Sequence, residues 1–313
     1  MKSEMRRSGG PGPNLGVLLV ASLAGLAAMA SAAPRRSIEA ATLWNPPAVS
    51  SPMWESHPAI DPVTGDLWFV RSDAHFSDWK LFVARCSRGG WSKAAAVHLA
   101  GRGLEADPWF GAEGATLWFI STGDGAAESG NLDIWRVDRS EGGGWAAPVR
   151  LPAPVNSPFA EWFPRLAADG WLYFGSRRPG GFGKDDIWRA RETAPGRWTV
   201  ENAGQGLNTA DEEYEFEPAP GGDWGILSTR QGLVRVVRTA AGWTRVGRFG
   251  PAINSNGTEI GPLIDRRGRG FLFSRDSGRP ASGELFATDR RTVEDMRANC
   301  LGAVRRSRPA HSR

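Results

Sequence analysis

The chain has 313 residues, enough for one large domain or two ordinary ones, and its 40 glycines, 22 prolines and 15 tryptophans suit many short strands joined by turns. The formal net charge of +4 is carried by the two ends, because residues 1–30 contribute +2 and residues 290–313 contribute +5. The body between them, residues 31–289, therefore carries a net charge of −3. This charge argues against a nucleic-acid partner, since a nucleic-acid-binding domain needs a basic face.

Residues 1–32 have the organisation of a secretory signal peptide. Basic residues precede an apolar run, Leu15–Met29, and the small residues of Ala28–Ala32 offer cleavage sites. The run is short for a membrane span. We therefore expect a periplasmic or secreted protein with no stable membrane insertion after cleavage, and an uncleaved anchor is the alternative. At the other end, the arginine-rich residues 290–313 are predicted to be a mobile, solvated tail.

The dominant signal between these ends is a Glu-x-x-Pro element that occurs five times, at spacings of 44 to 56 residues. Each copy is followed by a turn and by a continuous apolar run such as Leu117–Ile120, which is typical of a strand covered on both faces. A third strand and a tryptophan-marked fourth strand follow. This pattern predicts an all-β fold, a five-bladed β-propeller of four-stranded blades over residues 41–289. The five elements begin at Glu55, Glu105, Glu161, Glu215 and Glu259.

The fourth strand of the last repeat is displaced along the chain. The fifth repeat ends near Asp289 without this strand, whereas the segment around Trp44, ahead of the first repeat, is a fourth strand without a blade. Pairing the two would close the ring and remove an exposed sheet edge. We therefore predict that an N-terminal strand completes the last blade.

The third repeat contains the segments PRLAADGWLYFGS at Pro164–Ser176 and PGGFGKDDIW at Pro179–Trp188. These segments resemble the WD40-like repeat of TolB-type β-propellers. The resemblance spans roughly residues 41–289 and is specific in repeats two and three. It implies a periplasmic binding or scaffold propeller, or the propeller domain of a peptidase or lyase. Six blades are usual in TolB itself, whereas this chain has five repeats.

The five repeated glutamates should begin the innermost strands and form a ring near one mouth of the central channel. A functional ring would bind a polyhydroxyl ligand or a cation, because hard cations favour several oxygen ligands. In the alternative, each carboxylate accepts hydrogen bonds from backbone amides and fixes how neighbouring blades join. The recurrence of the residue in every blade favours the structural role.

Positions that differ between the repeats are better candidates for chemistry, because fivefold symmetry does not explain them. The residues two positions after the glutamates are His57, Asp107, Phe163, Glu217 and Gly261. Because side chains two residues apart share a strand face, His57, Asp107 and Glu217 could surround one opening. Paired carboxylates there could do general acid–base work, as they do in glycosidases. These three residues are the candidate catalytic residues.

Three tryptophans, Trp54, Trp109 and Trp162, lie beside the glutamate motif without fivefold recurrence. They could stack on a ligand, and core packing is the alternative. The two cysteines, Cys86 and Cys300, could form a disulfide in an oxidising compartment or remain free. No spacing of histidine and cysteine matches a metal site, so neither a metal nor a cofactor is expected.

Together these features favour an exported, non-enzymatic propeller that binds a protein partner or a cell-envelope glycan over one face. The alternative is a carbohydrate-active enzyme, a glycosidase or lyase, that uses carboxylates at the mouth of the channel.

Overall fold

The computed structural model describes residues 40–44, 46–73, 75, 77–88, 90–111, 113–124, 131–255, 258–276, 283–289 and 291–294. The predicted signal peptide and all of the basic tail except a helical turn at 291–294 lie outside these residues. No helix in the described ranges is long and apolar enough to cross a membrane. Cys86 is disulfide-bonded, and Cys300, the other cysteine of the sequence, lies outside the described residues.

The described residues form five four-stranded antiparallel sheets, the blades, and one small two-stranded hairpin. Blade one contains β2 (Trp54–Ile60), β3 (Leu67–Ser72), β4 (Lys80–Ala84) and β7 (Ala95–Val97), with a small hairpin of β5 (Cys86–Ser87) and β6 (Gly90–Trp91). Blade two contains β8 (Glu105–Phe110), β9 (Thr116–Ser121), β10 (Asp133–Asp138) and β11 (Val149–Arg150). Blade three contains β12 (Glu161–Leu166), β13 (Leu172–Ser176), β14 (Asp186–Ala194) and β15 (Arg197–Asn202).

Blade four contains β16 (Glu213–Pro218), β17 (Trp224–Thr229), β18 (Gly232–Thr239) and β19 (Gly242–Arg248). Blade five contains β20 (Ile260–Ile264), β21 (Phe271–Asp276), β22 (Gly283–Ala287) and the N-terminal β1 (Thr42–Leu43). The first strands of neighbouring blades contact one another around the ring, as β2 does with β8 and β20. They are the innermost strands and surround a central channel, so the predicted five-bladed propeller is confirmed.

The N-terminal strand closes the last blade. Thr42 pairs with Ala287 and Leu43 with Phe286 in an antiparallel ladder, and the Trp44 N–H donates a 2.7 Å hydrogen bond to the Leu285 carbonyl. The ring therefore closes through strand pairing between the two ends of the propeller, as predicted. Closure also covers the edge of β22, which would otherwise expose unpaired backbone groups.

The second strand of each blade is buried on both faces, which explains its unbroken apolar sequence. Leu117, Phe119 and Ile120 of β9 are at most 1% exposed, and they belong to a core cluster that extends from blade one to blade three. Burying a side chain of this size contributes about 1.5–3 kcal/mol. The stacking of blades on both sides of these strands is therefore the main source of stability.

An asparagine clip holds the segment between successive blades. The Asn156 side chain accepts a hydrogen bond from the Ile134 N–H at 2.8 Å and donates to the Ile134 and Leu151 carbonyls. Asn208 and Asn254 make equivalent bonds in blades three and four. The clip fixes the connection that leads into the next innermost strand, and thereby the position of the residues that follow it.

Candidate functional site

The register of the fourth repeat differs from the sequence prediction by two residues. In blade three, Glu161 pairs with Ser176 at the start of the innermost strand. In blade four the equivalent pair is Glu213 with Thr229. Glu213, not Glu215, is therefore the fourth member of the glutamate ring, and the prediction that Glu215 belongs to this ring was wrong. Glu215 lies two residues further along the strand and faces the channel.

The ring glutamates hold the joints between blades. The Ser157 N–H and the Arg178 guanidinium donate to Glu161 at 3.1 and 2.7 Å, and Arg178 also donates to the Pro154 carbonyl. Equivalent pairs are Arg71–Glu55, Arg245–Glu213 and Arg275–Glu259, at 2.8, 2.6 and 3.2 Å. Glu105 accepts instead from the N–H groups of Leu99 and Ala100. Burial raises the pKa of Glu55, Glu105 and Glu161. These contacts give the ring a structural role.

Replacing Glu161 or Glu213 by glutamine is expected to lower the free energy of unfolding by about 2–3 kcal/mol each, because the buried Arg178 or the half-buried Arg245 then loses its charged partner. Urea unfolding of each variant measures this loss. Glu201→Gln, which removes an exposed pair with Arg189, is the matched control and should cost under about 1 kcal/mol. A neutral result for Glu213→Gln would contradict the revised register.

The position two residues after each ring glutamate faces the channel. It holds His57, Asp107, Phe163, Glu215 and Gly261 in blades one to five. His57, Asp107 and Phe163 have φ values of 49°, 54° and 52°, and each lies within a β-bulge. The left-handed conformation is unfavourable for residues other than glycine. A β-bulge changes the direction in which a side chain points. Strained backbone of this kind occurs preferentially at binding and active sites.

His57, Asp107 and Glu215 meet in the channel, although they come from three different blades. The His57 Nε2 lies 2.8 Å from Oε1 of Glu215 and 3.4 Å from Oδ1 of Asp107. Its Nδ1 is 2.8 Å from the Ser56 hydroxyl, and its ring meets Phe163 edge to face at 5.8 Å. Each of the three titratable side chains belongs to a residue that is only 5% exposed. We name His57, Asp107 and Glu215 the channel triad.

The three residues of the channel triad shift one another's pKa values. Burial lowers the pKa of His57, but the charges of Asp107 and Glu215 outweigh burial and raise it overall. Burial raises the pKa of Asp107 in spite of the imidazolium. For Glu215, burial acts upward, but the charge and hydrogen bond of His57 lower the pKa overall. Glu215 also accepts hydrogen bonds from the Gly261 N–H and the Ser228 hydroxyl. The site thus favours a protonated His57 beside an ionised Glu215.

The raised pKa of His57 predicts that its contribution to stability is fully present below pH 6.5, the ordinary value. The contribution is lost as the pH rises through the higher folded value, because the folded state then releases the proton. Urea unfolding at pH 6, 7.5 and 9 measures this, with His57→Gln as the variant. The stability difference between the wild type and His57→Gln should shrink with rising pH. The exposed His75→Gln is the control, and its difference should stay constant; a His57 difference that grows with pH would contradict the assignment.

A cavity of about 670 Å³ opens above the triad at one mouth of the channel. We name it the aromatic pocket. Its floor contains the triad, and its walls include Trp54, Trp79, Trp162 and Tyr214. The Trp162 indole N–H donates to the Tyr214 carbonyl at 2.5 Å, which fixes the orientation of that wall. Arg177, at the rim, pairs with Asp185 at 2.6 Å.

The opposite end of the channel has different chemistry. A second cavity of about 430 Å³ is lined there by Trp109 and Glu217, among others. Glu217 pairs with the buried Arg165 at 2.5 Å, and burial raises the pKa of Glu217 to about 7. The prediction that Glu217 surrounds one opening together with His57 and Asp107 was wrong, because the fourth repeat is shifted by two residues. Trp109 likewise lies away from the pocket that contains Trp54 and Trp162.

Sequence reasoning therefore found part of the pocket. It singled out His57, Asp107, Trp54 and Trp162, which the structure brings together. It placed Glu215 in the glutamate ring instead of the channel triad. It gave no signal for Trp79 or Tyr214, because neither residue belongs to a recurring motif. In the described part of the chain, no group of three or more histidine, cysteine, aspartate or glutamate side chains is arranged to hold a metal ion.

The fold occurs in solved structures of low sequence identity, whereas no family model and no curated protein matches the chain. A gluconolactonase from Xanthomonas campestris is 13% identical, with 77% of this chain and 87% of that chain covered and a TM-score of 0.47. An α-L-arabinofuranosidase from Lactobacillus brevis is 13% identical, with coverage of 76% and 91% and a TM-score of 0.41. A protein from Agrobacterium tumefaciens provisionally assigned as TolB is 16% identical, with coverage of 63% and 82% and a TM-score of 0.35.

The chain spans 63% of the length of another similar structure, a Lactobacillus plantarum protein. At these identities the similarity concerns the fold alone. Enzymes are among the similar structures.

Proposed function

We propose that the protein is an exported, non-enzymatic binding propeller that takes a group of a cell-envelope component or protein partner into the aromatic pocket. The observation that supports this most is a concave, largely apolar pocket with a few convergent polar groups on its floor. Aromatic walls of this kind suit the flat face of a ligand, and a polar floor fixes its orientation. The signal-peptide organisation of residues 1–32 supports export.

The hydrogen bonding of the triad supports binding over turnover. Both nitrogens of His57 and both oxygens of Glu215 already have protein partners. A general acid or base must reach the proton of its substrate directly or through one water. Groups held in this way instead form a rigid, preorganised floor, which lowers the entropic cost of binding.

The tryptophans of the walls provide a direct test of where the ligand binds. Trp54→Ala and Trp162→Ala should each weaken binding at least about fivefold, because each removes a stacking surface that contributes about 1 kcal/mol or more. Ligands are found by screening a glycan array and envelope extracts of the source cell, and affinities are then measured by calorimetry.

Trp109→Ala is the matched control. Trp109 follows the same glutamate motif, but it lines the cavity at the opposite end of the channel. Its replacement should leave the affinity unchanged within about twofold. If Trp109→Ala abolishes binding and the two wall variants do not, the ligand binds at the other end, and the proposal is wrong.

A carbohydrate-active enzyme is the second candidate, and one observation favours it. The pKa of Asp107 is raised while that of Glu215 is lowered, and pairs of carboxylates with separated pKa values serve as acid and base in glycosidases. A screen of the mature protein for release of reducing sugar or of unsaturated products tests this. Turnover that disappears in Asp107→Asn without loss of thermal stability would establish the enzyme and exclude the non-enzymatic proposal.

A further inference from the structure

We propose that the aromatic pocket recognises an organic ammonium group, which is held between the indole faces and the Asp107 carboxylate. This inference rests on the proposed binding function and names its ligand class. It starts from an imbalance in the triad, which contains two carboxylates and one imidazole. With His57 protonated and both acids ionised, the floor carries one uncompensated negative charge.

The geometry assigns this charge to Asp107. The Nε2–H of His57 is shared by two acceptors, but Glu215 lies at 2.8 Å and Asp107 at 3.4 Å. The second oxygen of Asp107, Oδ2, accepts a 2.8 Å hydrogen bond from the Phe163 N–H. Among the described residues, Oδ1 of Asp107 therefore has no donor closer than the imidazole at 3.4 Å. This oxygen belongs to a residue that is 95% buried and that lines the pocket.

The nearby cations compensate it only in part, because the charge of Arg165 lowers the pKa of Asp107 less than burial raises it. Arg165 lies behind Phe163, with its guanidinium 3.5 Å from the ring centroid, and its charge is taken by Glu217 at 2.5 Å. Arg177 at the rim is 68% exposed and is bound to Asp185. A buried carboxylate whose charge is not fully compensated is costly unless it takes up a proton or a cation. Burial raises the pKa of Asp107, which is the expression of this cost.

The walls determine which cation fits. Indole and phenol rings attract an organic ammonium group through their negative faces while they cover its methyl or methylene groups. A metal ion would require several converging oxygen or nitrogen ligands, and the described residues offer no such group. An ammonium group can come from an amino sugar of an envelope glycan or from a lysine side chain of a protein, and both sources share this chemistry.

The test compares choline with 3,3-dimethylbutan-1-ol, which has the same shape but no charge. Calorimetry on the mature wild-type protein should show choline binding at least about tenfold more tightly, the factor that one cation–π contact and one ion pair supply. Asp107→Asn should bring the two affinities within about twofold of each other. Glu217→Gln, which alters a buried carboxylate at the other end of the channel, is the control and should keep the preference for choline.

The comparison of the two probes uses the wild-type protein, so the inference stays testable even if Asp107→Asn fails to fold. Equal affinities for choline and its neutral isostere would overturn the ammonium inference. If a neutral glycan then still binds with dependence on Trp54, the proposed binding function survives. If neither the probes nor any glycan or envelope component binds, both proposals fall.

Two further ligand pairs identify the source of the ammonium group. Preference for glucosamine over N-acetylglucosamine supports an amino sugar, whereas preference for Nα-acetyl-lysine amide over its Nε-acetyl form supports a lysine side chain. Absence of any preference in both pairs counts against the inference, because each pair differs in the ammonium charge.

Discussion

Replacing Arg165 by methionine is expected to lower the free energy of unfolding by about 3–5 kcal/mol, because removal of one partner leaves a buried charge without compensation. Arg165 is 1% exposed. It donates to Glu217 at 2.5 Å and to the Pro164 carbonyl at 3.0 Å, and it stacks on Phe163. The variant retains most of the side-chain volume, so the loss reports on the charge.

The pH dependence of this loss identifies its cause. Burial already raises the pKa of Glu217 to about 7, so the folded wild type binds a proton more tightly than the unfolded chain does. Stability is therefore expected to fall as the pH rises from about 5 through 7, because ionised Glu217 is less favourable in the fold. Without Arg165 this pKa rises further. The loss in Arg165→Met should accordingly be larger at pH 8 than at pH 6.

The double variant Arg165→Met, Glu217→Met is the decisive control, because it removes both charges while the volume is roughly kept. Its unfolding free energy, measured by urea denaturation, should return to within about 1–2 kcal/mol of the wild type and lose most of the pH dependence. Arg189→Met, at an exposed pair, should cost less than about 1 kcal/mol. A double variant as unstable as the single one would show that the guanidinium acts through packing.

The blade count and the closure of the ring could be predicted because both depend on local patterns. Apolar runs such as Leu117–Ile120 identify a strand buried on both faces wherever they occur. The strand next to Trp44 belongs to no repeat of its own. Pairing it with the last strand of the fifth repeat, β22, removes the exposed edge of that blade. These inferences required no knowledge of which side chains meet across the ring.

The site was harder to predict because it depends on register. In blade four, either Glu213 or Glu215 could be the repeated glutamate. The Glu-x-x-Pro pattern matches only Glu215, so the sequence prediction chose that residue. The spacing that the structure uses is a serine or threonine four residues before the glutamate, as in Ser157 and Glu161. Thr209 and Glu213 have this spacing. Had that element been weighted above the proline, the sequence alone would have placed Glu215 beside His57 and Asp107.

Two residues of the pocket walls, Trp79 and Tyr214, carry no such signal. Trp79 lies in the segment between β3 and β4, and Tyr214 directly follows a ring glutamate. Nothing in their immediate sequence distinguishes an aromatic residue that faces a ligand from one that fills the core. Their convergence on one cavity results from the angles between blades, which follow from packing over the whole ring.

The joint between the last and the first blade is the place where a single added methyl group should have a large effect. Gly261 has a φ of 61°, and a Cβ atom there would lie 2.8 Å from the backbone N and 2.9 Å from the Cα of His57. Backbone atoms of a central strand cannot yield as a flexible side chain can. Gly261→Ala should therefore lower the free energy of unfolding by about 3–5 kcal/mol, the sum of left-handed strain and overpacking.

Gly268→Ala separates these two contributions. Gly268 has nearly the same φ, 63°, but the nearest atom to its added Cβ is Nε1 of Trp224 at 3.5 Å. This control should cost only the conformational strain, about 1–2 kcal/mol. Gly261→Ala should in addition displace His57 from Glu215 and weaken ligand binding, because the Gly261 N–H holds that carboxylate at 2.7 Å. Equal losses in the two alanine variants would mean that blades five and one separate easily, and that the floor of the pocket is less rigid than its hydrogen bonds require.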